Sequence, residues 1–179
     1  MLNNENAVLL VIDVQERLFR TIFEKDLLLK RLVKLIQGCR LLNTPVIVTE
    51  QNPAGLGPTL VEVKSVLGDH TTIQKSAFNC CAEDSFIREL SNHKRKQVIL
   101  SCVEAHICVH QTAAALKQLG YEVHVAADCI SSRSMENKEL ALKRLAQEGV
   151  ILTGLEMALF ELLKTASSAQ FKAVAALIK

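Results

Sequence analysis

Residues 97–126, QVILSCVEAHICVHQTAAALKQLGYEVHVA, decide the fold. Gln97–Cys102 is an apolar run of the kind a strand covered on both faces requires. Cys108–Leu119 then sets small or apolar residues at Val109, Thr112, Ala113, Leu116 and Leu119, the spacing of one helical face. Gly120 closes that helix as a C-cap, since glycine takes positive φ without a steric penalty. Tyr121–Ala126 is a second strand, and the whole stretch reads as a parallel strand–helix–strand unit.

Working outward, Ala7–Asp13 (AVLLVID) and Pro45–Glu50 (PVIVTE) are further buried strands, with shorter ones at Thr71–Gln74 and Val150–Leu152. Leu28, Leu32, Leu35, Ile36, Cys39 and Leu42 repeat at helical spacing until Asn43-Thr44-Pro45 stops them. Helices are predicted at Thr59–Leu67, Glu83–Asn92, Asn137–Glu148, Gly154–Lys164 and Ser168–Ile178. Residues 51–58, QNPAGLGP, hold two Pro and two Gly and read as a loop. This alternation predicts a three-layer α/β fold: a mostly parallel, six-stranded sheet of Rossmann-type order, flanked by helices, in one domain spanning residues 1–179.

The 179 residues are 49% hydrophobic, with no Trp and one Tyr, so Leu, Ile, Val and Ala must build the core. A formal charge of +2, spread along the chain, gives no reason to expect nucleic acid or an anionic membrane as partner. His93-Lys94-Arg95-Lys96, the densest basic run, reads as a solvated loop ahead of a strand. No apolar segment reaches the roughly 18–20 residues of a membrane span, and no export signal is visible at the start. The expectation is a cytoplasmic protein whose six cysteines are reduced thiols. They contain no CxxC pair for zinc. Cys39 and Cys129 read as space fillers, and Cys80-Cys81 as packing or surface thiols. The apolar stretches EMALFELL and FKAVAALIK at the end suggest an interface and hence a homo-oligomer.

In such a sheet ligands bind beyond the carboxyl ends of the strands, where strand order reverses. Three residues there carry chemistry. Asp13 reads either as a helix N-cap or as a general base or acid whose burial tunes its pKa. Lys75 reads as a solvated side chain or, beside a carboxylate and a thiol, as the cation that stabilises both. Cys108 reads as a buried filler or as a nucleophile at a helix start, where free amides and the helix dipole lower a thiol pKa.

VIDVQ, the Lys75-Ser-Ala-Phe78 segment and VEAHICV together resemble the signatures of the isochorismatase-like cysteine hydrolases, a superfamily that includes nicotinamidases and N-carbamoylsarcosine amidase. The resemblance runs from about residue 5 to residue 165. It implies that Cys108 is the nucleophile, Asp13 its base and Lys75 their electrostatic partner. It also implies a non-proline cis peptide between Val103 and Glu104, and an oxyanion hole from the backbone amides of Glu104 and Cys108. The implied reaction is hydrolysis of a small-molecule amide or related C–N bond through a thioester; the rival reading is a scaffold protein on the same fold.

Nicotinamidases carry histidines after strand two that bind a metal. Here that region reads TEQNPAGLGPT without a histidine, so the resemblance points to a metal-free branch with no cofactor. Gln15, Glu50, Gln51, Leu56, Phe78, Val103 and His106 are then the candidate pocket residues. Cys102 stands where relatives commonly have Gly. His106 and His110 flank Cys108 without a spacing that guarantees hydrogen-bond reach. Asp128 reads as a structural brace after strand five.

Overall fold

The computed structural model describes residues 1–179. Six parallel strands lie in the order β3-β2-β1-β4-β5-β6: β1 Ala7–Ile12, β2 Val46–Gln51, β3 Thr71–Lys75, β4 Gln97–Val103, β5 Glu122–Ser131 and β6 Ile151–Thr153. The helices are α1 Glu16–Phe19, α2 Lys25–Leu41, α3 Pro53–Leu56, α4 Val61–Leu67, α5 Asp84–Asn92, α6 His110–Gln118, α7 Met135–Gln147, α8 Leu155–Leu163 and α9 Phe171–Ile178.

The apolar strands are continuous because both faces are covered. Along β1, Ala7, Leu9 and Val11 point into one core with α2, α4, α8 and α9. Val8, Leu10 and Ile12 point into a second core with α5, α6 and α7. Gly38 on α2 lets α8 approach closely: a Cβ there would sit 2.5 Å from the Leu159 side chain. Gly120 follows α6 at φ +80°, the left-handed residue that ends the helix.

Several boundaries differ from the sequence reading. Lys75 is the last residue of β3 rather than the first after it. The 51–58 loop contains the short helix α3. A π-helical turn, Ala105–Val109, precedes α6, so Cys108 lies inside that turn, two residues before α6 begins at His110. β5 runs past Ala126 to Ser131 because a bulge absorbs residues: Leu100 pairs with Val125, but Cys102 pairs with Ile130. Asp128 therefore lies within β5, where its Oδ1 accepts the Leu155 amide at 2.8 Å and anchors the start of α8. The final apolar stretches are largely internal: Leu155, Ala158, Leu159, Leu162, Leu163 and Val174 face the chain's own core. Met157 and Phe160 are the apolar residues of α8 that remain exposed.

Candidate active site

Strand order reverses between β1 and β4, and the carboxyl ends of those two strands deliver Asp13 and the turn holding Cys108. Asp13 leaves β1 at φ +56°, in the left-handed region that Asp tolerates better than most side chains. It does not cap a helix. Gln15 holds the N-cap position of α1, while the Asp13 carboxylate is fully buried and accepts a hydrogen bond from Thr49 Oγ1 at 2.8 Å. Its other oxygen, Oδ2, meets Lys75 Nζ at 2.7 Å and has no further polar partner.

Lys75 reaches this carboxylate from the edge strand β3, across β2. It is not solvated: both side chains of the pair are wholly buried. Its ammonium also donates to Gln51 Oε1 at 2.7 Å and to the carbonyls of Ala77 (3.2 Å) and Phe78 (3.4 Å). Cys108 Sγ lies 3.8 Å from the same nitrogen. Burial is the largest single influence on the Lys75 pKa and lowers it, but the charges of Asp13, Cys80 and Cys108 and the Asp13 hydrogen bond together outweigh it, and the net shift is upward.

The expectation of a lowered Cys108 pKa is corrected. Burial is the largest influence and raises it; Asp13 raises it further, and Lys75 only partly offsets them. The helix start does not decide the shift, because the residue is only 5% exposed and its thiol faces a carboxyl group. That upward shift favours the neutral thiol at Cys108, beside the buried Asp13 carboxyl.

The peptide between Val103 and Glu104 is cis. Glu104 is buried and held by Arg133, whose Nε and a terminal nitrogen donate to its two carboxylate oxygens at 2.6 and 3.2 Å. His106 Nδ1 is 2.9 Å from Ser132 Oγ. His110 turns away to Glu148, the residue that caps the end of α7, at 3.0 Å. Val103 is buried in the core shared with α2 and α8.

The remaining pocket candidates divide. Phe78 is half exposed beside the Lys75 carbonyl cradle, and Leu56 closes α3 half buried. Glu50 Oε1 accepts both the amide (2.7 Å) and the hydroxyl (2.8 Å) of Thr59, clamping the loop between them. Gln15 is fully buried; its amide donates to the carbonyls of Gln51 (3.0 Å) and Gly57 (2.6 Å) and its oxygen accepts the Gln51 amide (2.7 Å). A cleft of about 330 Å³, lined by Asn52, Pro53, Ala54, Gln74, Lys75, Ser76 and Glu83, opens beside this cluster. No three His, Cys, Asp or Glu side chains converge as a metal site.

Sequence reasoning missed Thr49 and Cys80. Thr49 sits at the end of a strand paired with β1, so its register beside Asp13 was the available signal. Cys80 lies 4.0 Å from Thr49 Oγ1, and burial pushes its pKa up to about 11.

A family model described as the isochorismatase domain matches residues 7–157. Isochorismatase domain-containing protein 2 of Danio rerio is 39% identical over 178 residues, covering 99% of this chain and 89% of that protein. The chain belongs to the isochorismatase family, and its fold is that of the family's hydrolases. Among solved structures, the MAR1 ribonuclease of Caenorhabditis elegans superimposes with a TM-score of 0.94 at 36% identity, covering 99% of this chain and 91% of that one. YcaC of Escherichia coli, described as an octameric hydrolase of unknown specificity, shares the fold with a TM-score of 0.94 at 23% identity over 99% and 88% of the two chains.

Proposed function

We propose that this chain is a cysteine hydrolase that cleaves an amide or related C–N bond of a small molecule through a thioester, without a metal or cofactor. The observation that carries the reading is the buried Asp13–Lys75 pair at 2.7 Å with Cys108 Sγ 3.8 Å from the shared ammonium. Asp13 Oδ2 takes the thiol proton as Cys108 attacks the carbonyl carbon. The tetrahedral oxyanion is held by the backbone amides of Glu104 and Cys108. Collapse expels the amine, which takes the proton from Asp13 and leaves the thioester. Asp13 then accepts a proton from the attacking water, and the acid departs as the thiol regains that proton.

Amides are the favoured substrates because the motifs resemble those of nicotinamidases and N-carbamoylsarcosine amidase, which act on C–N bonds. Phe78 and Leu56 offer apolar surface for the acyl group. The chain is also inferred to form homo-oligomers, through Met157 and Phe160 on α8 and the neighbouring Ile151 and Leu152 of edge strand β6, all exposed. Six free thiols fit a reducing compartment such as the cytoplasm; no helix is long and apolar enough to cross a membrane.

The test is a panel of small amides and carbamoyl compounds assayed against the native protein and Cys108→Ala. Turnover by the native protein and none by the variant is expected. Turnover that survives the substitution moves the nucleophile elsewhere. A short single-stranded RNA belongs in the panel because one relative is named a ribonuclease; Cys108-dependent RNA cleavage with no amide turnover would replace the substrate class. No turnover at all, with Cys108 labelled no faster than the other thiols, would favour the scaffold reading.

A further inference from the structure

We propose that Gln51 is a positioning residue that keeps Lys75 charged while Cys108 gives up its proton. The inference rests on the Asp13–Lys75–Cys108 reading above and concerns what holds the cation in place. An ammonium has three donors. Here they are met by Asp13 Oδ2, by Gln51 Oε1 and by the paired carbonyls of Ala77 and Phe78. At rest, then, the contact to Cys108 Sγ at 3.8 Å is a long one, shared with donors already turned to oxygen at 2.7 to 3.4 Å.

The balance changes when the thiol proton passes to Asp13. The carboxyl becomes neutral, the sulfur becomes an anion, and the donor that faced Oδ2 is free to turn to Sγ. The titratable groups facing Lys75 are Asp13 from β1, Cys108 from the π-helical turn and Cys80 from the short 3₁₀ turn after β3. Once Asp13 is neutral, the oxygens that still solvate this buried cation are those of Gln51, Ala77 and Phe78. Burial favours the neutral amine. Without the Gln51 oxygen, Lys75 would more readily return a proton to sulfur, giving amine and thiol in place of ammonium and thiolate. Gln51 thus favours the reactive pair.

Gln51 cannot easily turn away. Its Nε2 donates to Ser76 O at 2.6 Å, and its backbone is fixed on both sides by Gln15. Gln15 is pinned in turn to Gly57 of the loop after α3. Both glutamines, expected to line the substrate pocket, have their amide groups engaged by the protein instead. They link the 52–59 loop to the ammonium.

The experiment uses the full chain and needs no substrate. Alkylation of Cys108 by iodoacetamide is followed by peptide mass from about pH 6 to 11 in native protein, Gln51→Met and Lys75→Met, with thermal melts confirming folding. Gln51→Met should slow Cys108 alkylation about tenfold near neutral pH and move its pH midpoint up by about one unit, with Lys75→Met slower still. Once a substrate is known, kcat should fall in Gln51→Met with KM little changed. An unchanged profile in Gln51→Met, with Lys75→Met clearly slowed, overturns the role of Gln51 and leaves the triad standing. Unchanged profiles in both overturn the triad as well. If Gln51→Met does not fold, Gln51→Asn serves: it keeps an amide but withdraws the oxygen from the ammonium by one methylene, so slower alkylation supports the proposal and an unchanged profile overturns it.

Discussion

Two polar clusters occupy opposite ends of the same sheet, and they are built from similar residues. At the carboxyl ends stand Asp13, Lys75, Thr49 and Gln51 around Cys108. At the amino ends of β4 and β5 stand Gln97, Glu122 and His124. Gln97 accepts the Asn3 amide at 2.7 Å and donates to Met1 O and Glu122 Oε1, while His124 Nε2 lies 2.6 Å from Glu122 Oε1. The difference lies in where charge is buried. Glu122 keeps 44% of its side chain in water, so its cluster ties down the N-terminus at little electrostatic cost. Asp13 and Lys75 are both excluded from water, and each depends on the other. A polar network that water still reaches is a fastening; one sealed around an ion pair and a thiol is where the proposed reading places a proton transfer.

Breaking the sealed pair should have the largest effect. Lys75→Met leaves a buried carboxylate without its cation, which costs about 3–5 kcal/mol. Thermal unfolding should register this as a fall in Tm of roughly 10 °C for a chain of this size. Asp13→Asn should lower activity by about 10²–10⁴ as its proton acceptor is lost. Combining Asp13→Asn with Lys75→Met in one chain should cost much less stability than the two single changes together. If the costs simply add, the two side chains are not energetically coupled and the contrast between the two ends fails.

Alkaline pH sharpens the same contrast through the thiols. Cys80, Cys102 and Cys108 lie in the core beneath the candidate site, and burial raises the pKa of each. An unfolded thiol ionises at about pH 8.5. Because the folded values are higher, stability is complete below that pH and is lost as pH rises towards the folded values, about 11 for Cys80. Each buried thiol contributes a limiting slope of about 1.4 kcal/mol per pH unit. Denaturant melts of native protein and Cys80→Ala across that range should diverge in slope by about that amount. Parallel curves would mean that the Cys80 thiol ionises as readily folded as unfolded.

How legible these features were depended on whether they were local. The strands of β1 and β4 were readable because a continuous apolar run has one good explanation when helices cover both faces. Asp13, Lys75 and Cys108 could be singled out because each sits at a strand's end, but nothing in the sequence measures the 2.7 Å between two of them. The direction of the Cys108 pKa was misjudged for the same reason, since burial and the facing carboxylate are tertiary facts. The bulge that carries β5 to Ser131 was hidden because its extra residues disturb the strand period while pairing resumes beyond them. Gln15 and Gln51 were seen as polar residues near a site, while the hydrogen bonds that occupy them come from segments distant in sequence.

The smallest effect belongs to the open cluster. The hydrogen bond from His124 is the chief cause holding the Glu122 carboxyl below its usual range, with Gln97 adding to it. A depressed carboxylate pKa stabilises the fold above the unfolded value, about 4.3, and that contribution is lost as pH falls through the lower folded value. Because water reaches Glu122, its loss should cost less than about 1 kcal/mol. Glu122→Gln is therefore expected to flatten the acid limb of the stability curve slightly, while Cys108 alkylation stays at the native rate. A large stability loss, or a change in Cys108 reactivity, would mean that the two ends of the sheet are coupled through β4 and β5. In that case the amino-end cluster would support the site chemistry as well as tether the N-terminus.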